Sequence, residues 1–222
     1  MNAPLAAVPA DAGALPVEDR LFAALAEGLR GRGHAVCPDA LPDTLQESLL
    51  THLRQMPDSQ FHRAGIGRQQ DFTLAGSVRR DAICWINGES PAGQAWLNWS
   101  AALQTRLNRE LLLGLFSFES HFAHYGPGDF YRRHVDAFAG EANRRLSLVA
   151  YLNRDWQPGE GGELVLYTAE GELRVSPRLG TLVVFLSEEF PHEVLPAARD
   201  RYSIAGWFRV NTSSAQRIDP PR

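Results

Sequence analysis

The chain has 222 residues, enough to bury a core without disulfide or metal staples. Its 44% apolar and 22% charged residues are ordinary for a globular protein, and a formal charge of −4 supplies no basic field for nucleic acid. Cys37 and Cys84 are far apart in sequence, which excludes a zinc knuckle or disulfide scaffold and fits a reducing cytoplasm.

Residues 1–16, rich in Ala and Pro and without periodicity, read as a flexible leader. They lack the basic start and long apolar stretch of a signal peptide, and no run approaches the ~18 apolar residues of a membrane span. From Val17, apolar residues at Leu21–Phe22, Leu25 and Leu29 predict a helix, stopped by Gly31-Arg-Gly33. His34–Cys37 reads as a short strand. Asp43 followed by Gln46 resembles a capping box, opening a second helix through about Met56 with Leu45, Leu49, Leu53 and Met56 buried.

Residues 57–80 are polar and glycine-bearing, which predicts an open finger rather than a buried element. Residues 79–86 read as a strand entering the core, and Ser90-Pro91 opens a third helix ending near Leu111. Beyond it, about eight short apolar runs separated by turn signals predict β structure to Val210. The expected fold is α+β: a jelly roll (double-stranded β-helix) over about 112–210, buttressed by helical support over 17–111. One domain thus spans 17–210, and residues 211–222 read as a flexible tail.

In an extended segment, residues two apart share a face, so His134 and Asp136 offer an imidazole and a carboxylate side by side. His192, on a later strand, can complete a two-His, one-carboxylate set of the kind that holds non-haem Fe(II) with open positions. Arg201 and Trp207 share parity along the last strand; a buried arginine needs an anionic partner, which a dicarboxylate supplies. Tyr125 and Tyr151 fall at parities that place both phenols in one cavity, while Leu164 and Val194 read as core residues that also wall it. His121 shares parity with Tyr125 and lines the pocket; His124 faces away. Gly161-Gly162 reads as a bulge or turn. The pairs Arg132-Arg133 and Arg144-Arg145 read either as guidance for an acidic co-substrate or peptide, or as solvated strand ends.

Over residues 75–210, Arg-His134-Val-Asp136, Tyr151-Leu-Asn-Arg-Asp-Trp156, Gly161-Gly162, Pro191-His192-Glu-Val and Arg201-Tyr-Ser-Ile-Ala-Gly-Trp207 form a combined pattern. It resembles the Fe(II)- and 2-oxoglutarate-dependent prolyl hydroxylases that act on hypoxia-inducible factor, and their bacterial homologues, one of which modifies elongation factor Tu. The resemblance implies iron ligands His134, Asp136 and His192, with Arg201 and Tyr151 on the distal carboxylate of 2-oxoglutarate and Tyr125 near its chelating end. Leu164, Val194 and Trp207 would shape the cavity. Asp81 and Ile83 fall in step with a family strand, and Arg144 matches an arginine at the substrate entrance, where pairing with Asp81 is expected. His121 stands where the animal enzymes carry an apolar residue, and the segments flanking His134–Asp136 differ by one residue in length. The implied reaction hydroxylates a prolyl residue of a protein, consuming O2 and releasing succinate and CO2, with ascorbate as a reductant. Nucleic acid and membrane are not expected partners, and a monomer is favoured. The residues alone also admit the same chemistry on a small molecule or another side chain, and a non-catalytic jelly-roll binding module.

Overall fold

The computed structural model describes residues 17–65, 76–136 and 143–211. The expected leader (1–16), most of the tail (212–222) and the middle of the finger (66–75) lie outside the described residues.

Three helices back the β region. Helix α1 (Val17–Arg32) ends where Gly33 takes a φ of +73° and returns its N–H to the Leu29 carbonyl at 2.9 Å. That left-handed stop is inexpensive only for glycine. Helix α2 (Asp43–Gln55) departs from expectation at its start: no side chain caps it. The helix begins one residue earlier than that box requires: Pro42 is the N-cap and has no side-chain acceptor, while Asp43 is already the first helical residue. Gln46 instead donates to the Leu41 carbonyl at 2.6 Å. Leu50 joins Leu45 and Leu49 in the core, while Leu53 and Met56 are only partly buried. Helix α3 (Pro91–Leu111) begins as read, with the Ser90 hydroxyl accepting from the Gly93 N–H at 3.0 Å.

The strands are β1 (His34–Cys37), β2 (His62–Arg63), β3 (Ala82–Trp85), β4 (Leu115–Tyr125), β5 (Tyr131–His134), β6 (Arg144–Tyr151), β7 (Leu164–Thr168), β8 (Gly171–Val175), β9 (Leu182–Leu186), β10 (His192–Val194) and β11 (Arg201–Val210). They form two antiparallel sheets, one ordered β1-β9-β6-β11-β4-β3-β2 and the other β5-β10-β7-β8. This is the expected jelly roll with helical support. Strand β3 does not enter the core as read. It lies between β2 and β4, partly buried, with Trp85 53% exposed.

The period-two alternation of the large sheet sorts its residues into two layers. Leu146, Leu148, Ala150, Leu182, Val184, Ile204 and Phe208 pack against the helices, together with Trp96, Leu103 and Leu107 of α3. The intervening residues face the small sheet, where Tyr125, Tyr151, Leu164, Val183, Phe185 and Val194 form a second cluster. That inner layer is unusually polar: Glu119, His121, Ser147, Arg201 and Ser203 are all buried in it or at its rim. Apolar packing on one face thus holds a set of functional side chains rigid on the other.

Candidate metal centre and adjoining pocket

His134, Asp136 and His192 offer three ligand atoms that lie within 4.8 Å of one another. His134 and His192 are directly opposed across β5 and β10. Strand β5 ends at His134, so Asp136 arrives from the bend that follows. Its oxygens lie 3.7 Å from His134 Nε2 and 3.6 Å from His192 Nε2.

Both imidazoles are oriented by the same local device. His134 Nδ1 lies 2.8 Å from the Arg132 carbonyl, and His192 Nδ1 lies 3.0 Å from the Phe190 carbonyl. With each Nδ1–H donated to the residue two earlier, each Nε2 presents a lone pair to the cluster, the arrangement a metal-binding imidazole needs. Burial pushes the His192 pKa down, against the pull of Asp136, which favours the neutral ligand form. Burial alone would raise the Asp136 carboxyl; the two histidines and Ser147 outweigh it and hold the group well below the usual carboxylate range. The donor set of two imidazoles and one carboxylate therefore fits a divalent iron.

Ser147 of β6 donates to Asp136 Oδ2 at 2.6 Å and lies 2.9 Å from the Ser187 hydroxyl. This contact ties the small sheet's ligands to the large sheet. Sequence reading missed both serines. The available signal was Ser147's place among leucines at the parity of Tyr151.

Tyr131 was also missed. Its ring stacks on His134 with centroids 3.6 Å apart and 17° between planes. Strict alternation would put residues three apart on opposite faces, but β5 carries a register shift: His134 and Tyr131 pair with His192 and Val194. The extra residue turns Tyr131 onto the His134 side.

Arg201 is 1% exposed, and no carboxylate among the described residues pairs with it. Its Nε donates to the Gly162 carbonyl at 2.9 Å and its Nη1 to the Ser203 hydroxyl at 3.2 Å. Its guanidinium lies 4.9 Å from the Tyr125 ring centroid and 5.1 Å from that of Tyr151. The Tyr151 hydroxyl is buried without a hydrogen-bond partner; burial pushes its pKa up to about 12 although Arg201 pulls the other way. An uncompensated buried cation beside an orphaned hydroxyl is a cradle for a carboxylate. Leu164 and Val194 lie in the same cluster as both tyrosines.

Gly161 and Gly162 are more than a turn. Both sit at a φ of +72°, and a Cβ on Gly161 would come 2.4 Å from the Pro196 carbonyl oxygen. Gly161→Ala is expected to lower stability by about 1–3 kcal/mol through left-handed strain and this collision, read as the midpoint of urea unfolding.

On the far side of the cluster the expected pairing of Arg144 with Asp81 does not occur. Asp81, 1% exposed, is held in two-pronged fashion by Arg79, with Nε–Oδ1 at 2.7 Å and Nη2–Oδ2 at 2.5 Å. Arg79 and Asp81 are two apart in an extended segment, so one face brings them together. Arg144 instead donates to Glu119 Oε1 from Nε at 3.1 Å and Nη2 at 2.8 Å, and lies 3.7 Å above the Trp207 ring. A double-mutant cycle should give Arg144–Glu119 a coupling of about 1–3 kcal/mol and Arg144–Asp81 less than about 0.5. His121 packs between Trp85 and Trp207, 3% exposed, and burial drives its pKa down to about 3, so it is neutral. Its Nδ1 and the Trp207 Nε1 are buried without partners. Ile83 lies beside the inner cluster. His124 faces the other way, as expected, with Nε2 2.8 Å from Asp200.

A sequence profile for the 2OG-Fe(II) oxygenase superfamily matches residues 120–209, which hold the whole three-ligand cluster and Arg201. The crystal structure of a prolyl-4-hydroxylase from Pseudomonas putida is similar over 85% of this chain and 98% of that one, with 41% identity and a TM-score of 0.78. The chain belongs to the 2OG-Fe(II) oxygenase superfamily. A prolyl hydroxylase from Trichoplax adhaerens, solved with a hypoxia-inducible factor peptide, shares the oxygenase fold at 24% identity, 86% and 90% coverage and a TM-score of 0.75. Human Egl nine homolog 1 is 27% identical over 188 residues, 79% of this oxygenase and 44% of the human protein. The chain spans about half the length of the curated relatives it matches first. No helix among the described residues is long and apolar enough to cross a membrane.

Proposed function

We propose that this oxygenase uses Fe(II), 2-oxoglutarate and O2 to hydroxylate a prolyl residue of a polypeptide. The observation that carries the reading is the buried, uncompensated Arg201 beside the orphaned Tyr151 hydroxyl, within one inner layer that also holds the three-ligand cluster. Prolyl specificity is supported by the 41% identity to the Pseudomonas putida prolyl-4-hydroxylase.

His134, Asp136 and His192 would hold the metal, which with 2-oxoglutarate and O2 supplies the oxidising chemistry that ends in hydroxylated product, succinate and CO2. The chain's part is binding and orientation. Ser147 fixes the Asp136 carboxylate, and the Arg132 and Phe190 carbonyls fix the imidazoles. Arg201 and Tyr151 take the distal carboxylate of the co-substrate, with Tyr125 toward its chelating end. Leu164, Val194 and Trp207 keep water from the cavity. Asp81, Ile83, Arg144 and His121 lie on the side left for the polypeptide; the neutral His121 can offer a hydrogen bond there without a charge. Ascorbate would serve as the reductant that keeps the metal in its working state. We place the enzyme in the cytoplasm, consistent with free thiols at Cys37 and Cys84, and acting as a monomer.

The test is succinate formation by anaerobically reconstituted Fe(II) protein given 2-oxoglutarate and O2, with and without a bacterial protein fraction or purified elongation factor Tu. Stimulation with a +16 Da shift on a proline supports the reading. Turnover that no protein stimulates would point to a small-molecule substrate, and no turnover with iron bound would leave a binding module.

A further inference from the structure

We propose that Arg80, Arg132 and Arg133 form a cationic rim beside the metal centre that docks an acidic segment of the polypeptide substrate; this rests on the polypeptide reading above. The sequence grouped Arg132-Arg133 with Arg144-Arg145, but Arg144 is consumed by Glu119 and Trp207. The structure puts a different arginine in the group. Backbone bonds from Arg80 N–H to the Phe130 carbonyl (3.0 Å) and from Arg132 N–H to the Val78 carbonyl (2.8 Å) lay residues 78–80 against the start of β5.

Phe130 is thereby flanked by two guanidiniums, Arg80 at 5.1 Å and Arg132 at 5.4 Å from its ring centroid. Each is fastened a second time through Nε: Arg80 to the Gly76 carbonyl at 3.1 Å, Arg132 to the Ser77 carbonyl at 2.5 Å. Arg133 lies 3.7 Å over the Tyr167 ring. All three arginines are exposed. None pairs with a carboxylate among the described residues, whereas other exposed arginines do: Arg30 with Glu27 and Arg174 with Glu172. The acidic groups nearby are already engaged, Asp129 by the Gly126 N–H and Glu193 by the Tyr167 hydroxyl.

A free surface arginine samples many rotamers and loses that entropy on binding. Here ring faces and backbone carbonyls have fixed the guanidinium planes in advance and left the terminal N–H groups for a partner. Such pre-organised forks suit carboxylates. The rim is separate from the buried Arg201, and three cations spread over two adjoining segments exceed what one small dicarboxylate can engage. A local cationic strip on a chain of net charge −4 also favours the approach of an acidic segment at this edge. Arg132 and Arg133 directly precede His134 on β5, which keeps the rim within two residues of the metal centre along the strand.

The test uses three labelled peptides of about 20 residues, each with one central proline in a Gly/Ser background, flanked on one side by acidic, lysine or uncharged residues. Binding to the full chain, loaded with Fe(II) and 2-oxoglutarate without O2, is read by fluorescence anisotropy. The acidic peptide should bind about tenfold tighter than the uncharged one at low salt, and the gap should shrink at about 0.5 M salt. Arg80→Gln with Arg132→Gln and Arg133→Gln should abolish the gap while leaving uncharged-peptide affinity in place, which also reports that the variant is folded. Equal binding of acidic and uncharged peptides, or a gap that survives the substitutions, would overturn the proposal. So would tighter binding of a single-stranded oligonucleotide of matched charge. Because no turnover is involved, the two readings fail separately: succinate formation without acidic preference removes only the rim, and acidic preference without succinate formation removes only the oxygenase reading.

Discussion

Alanine at His134 or Asp136 is expected to lower Fe(II) affinity by more than about a hundredfold and to remove turnover with it. Loss of a mere outer partner costs a metal site about 10–100-fold, and these substitutions remove donors themselves. Ser147→Ala supplies the graded comparison. It deletes the 2.6 Å bond that aims Asp136 Oδ2, keeps all three donors, and should fall within that 10–100-fold window. The measurement is metal content after equilibrium dialysis against a competing chelator, followed by succinate formation at saturating iron. A His134→Ala protein that retains both iron and full turnover would remove the assignment. Ser147→Ala as damaging as Asp136→Ala would mean that the carboxylate cannot reach the metal without its hydroxyl partner.

The ligands could be read from sequence because they depend on short-range geometry. His134 and Asp136 are close in sequence, Asp136 arriving from the bend just past β5, and His192 needs only a later strand brought opposite. The same holds for most elements: Ser90-Pro91 caps α3, and Gly33 stops α1. What escaped reading depends on events that alternation does not encode. The register shift in β5 put Tyr131 on the His134 side against its parity. Helix α2 took Pro42 as its N-cap, one residue ahead of Asp43, so a capping box whose two side-chain letters were both present did not form. Arg144 had two acidic residues within reach of the inner layer. Arg79, two residues from Asp81 on the same face, took one of them and left Glu119 for Arg144. Pairing choices of this kind turn on competition among several charges, which spacing along one strand cannot decide. The finger between 66 and 75, read as the open element of the entrance, lies outside the described residues.

Arg201→Leu should separate binding of the co-substrate from stability, in opposite directions. The wild-type guanidinium is buried with two hydrogen bonds and two aromatic faces but no carboxylate among the described residues. A buried charge without a counter-charge opposes folding, and an apolar side chain of similar reach relieves that opposition. In the absence of 2-oxoglutarate the variant is therefore expected to unfold at the wild-type temperature or above it. Its half-maximal 2-oxoglutarate concentration should rise by about a hundredfold or more, as expected for loss of a charge-assisted contact of about 3 kcal/mol. Adding 2-oxoglutarate with a divalent metal should raise the wild-type melting temperature, by mass action on the folded state, and leave the variant's unchanged. Iron content should stay at the wild-type level, since Arg201 touches none of the three ligands in this structure. Differential scanning fluorimetry with and without the co-substrate reads all of this except the iron. A variant that melts lower without ligand, yet still shifts on adding 2-oxoglutarate, would show that Arg201 serves the fold and that another cation receives the carboxylate.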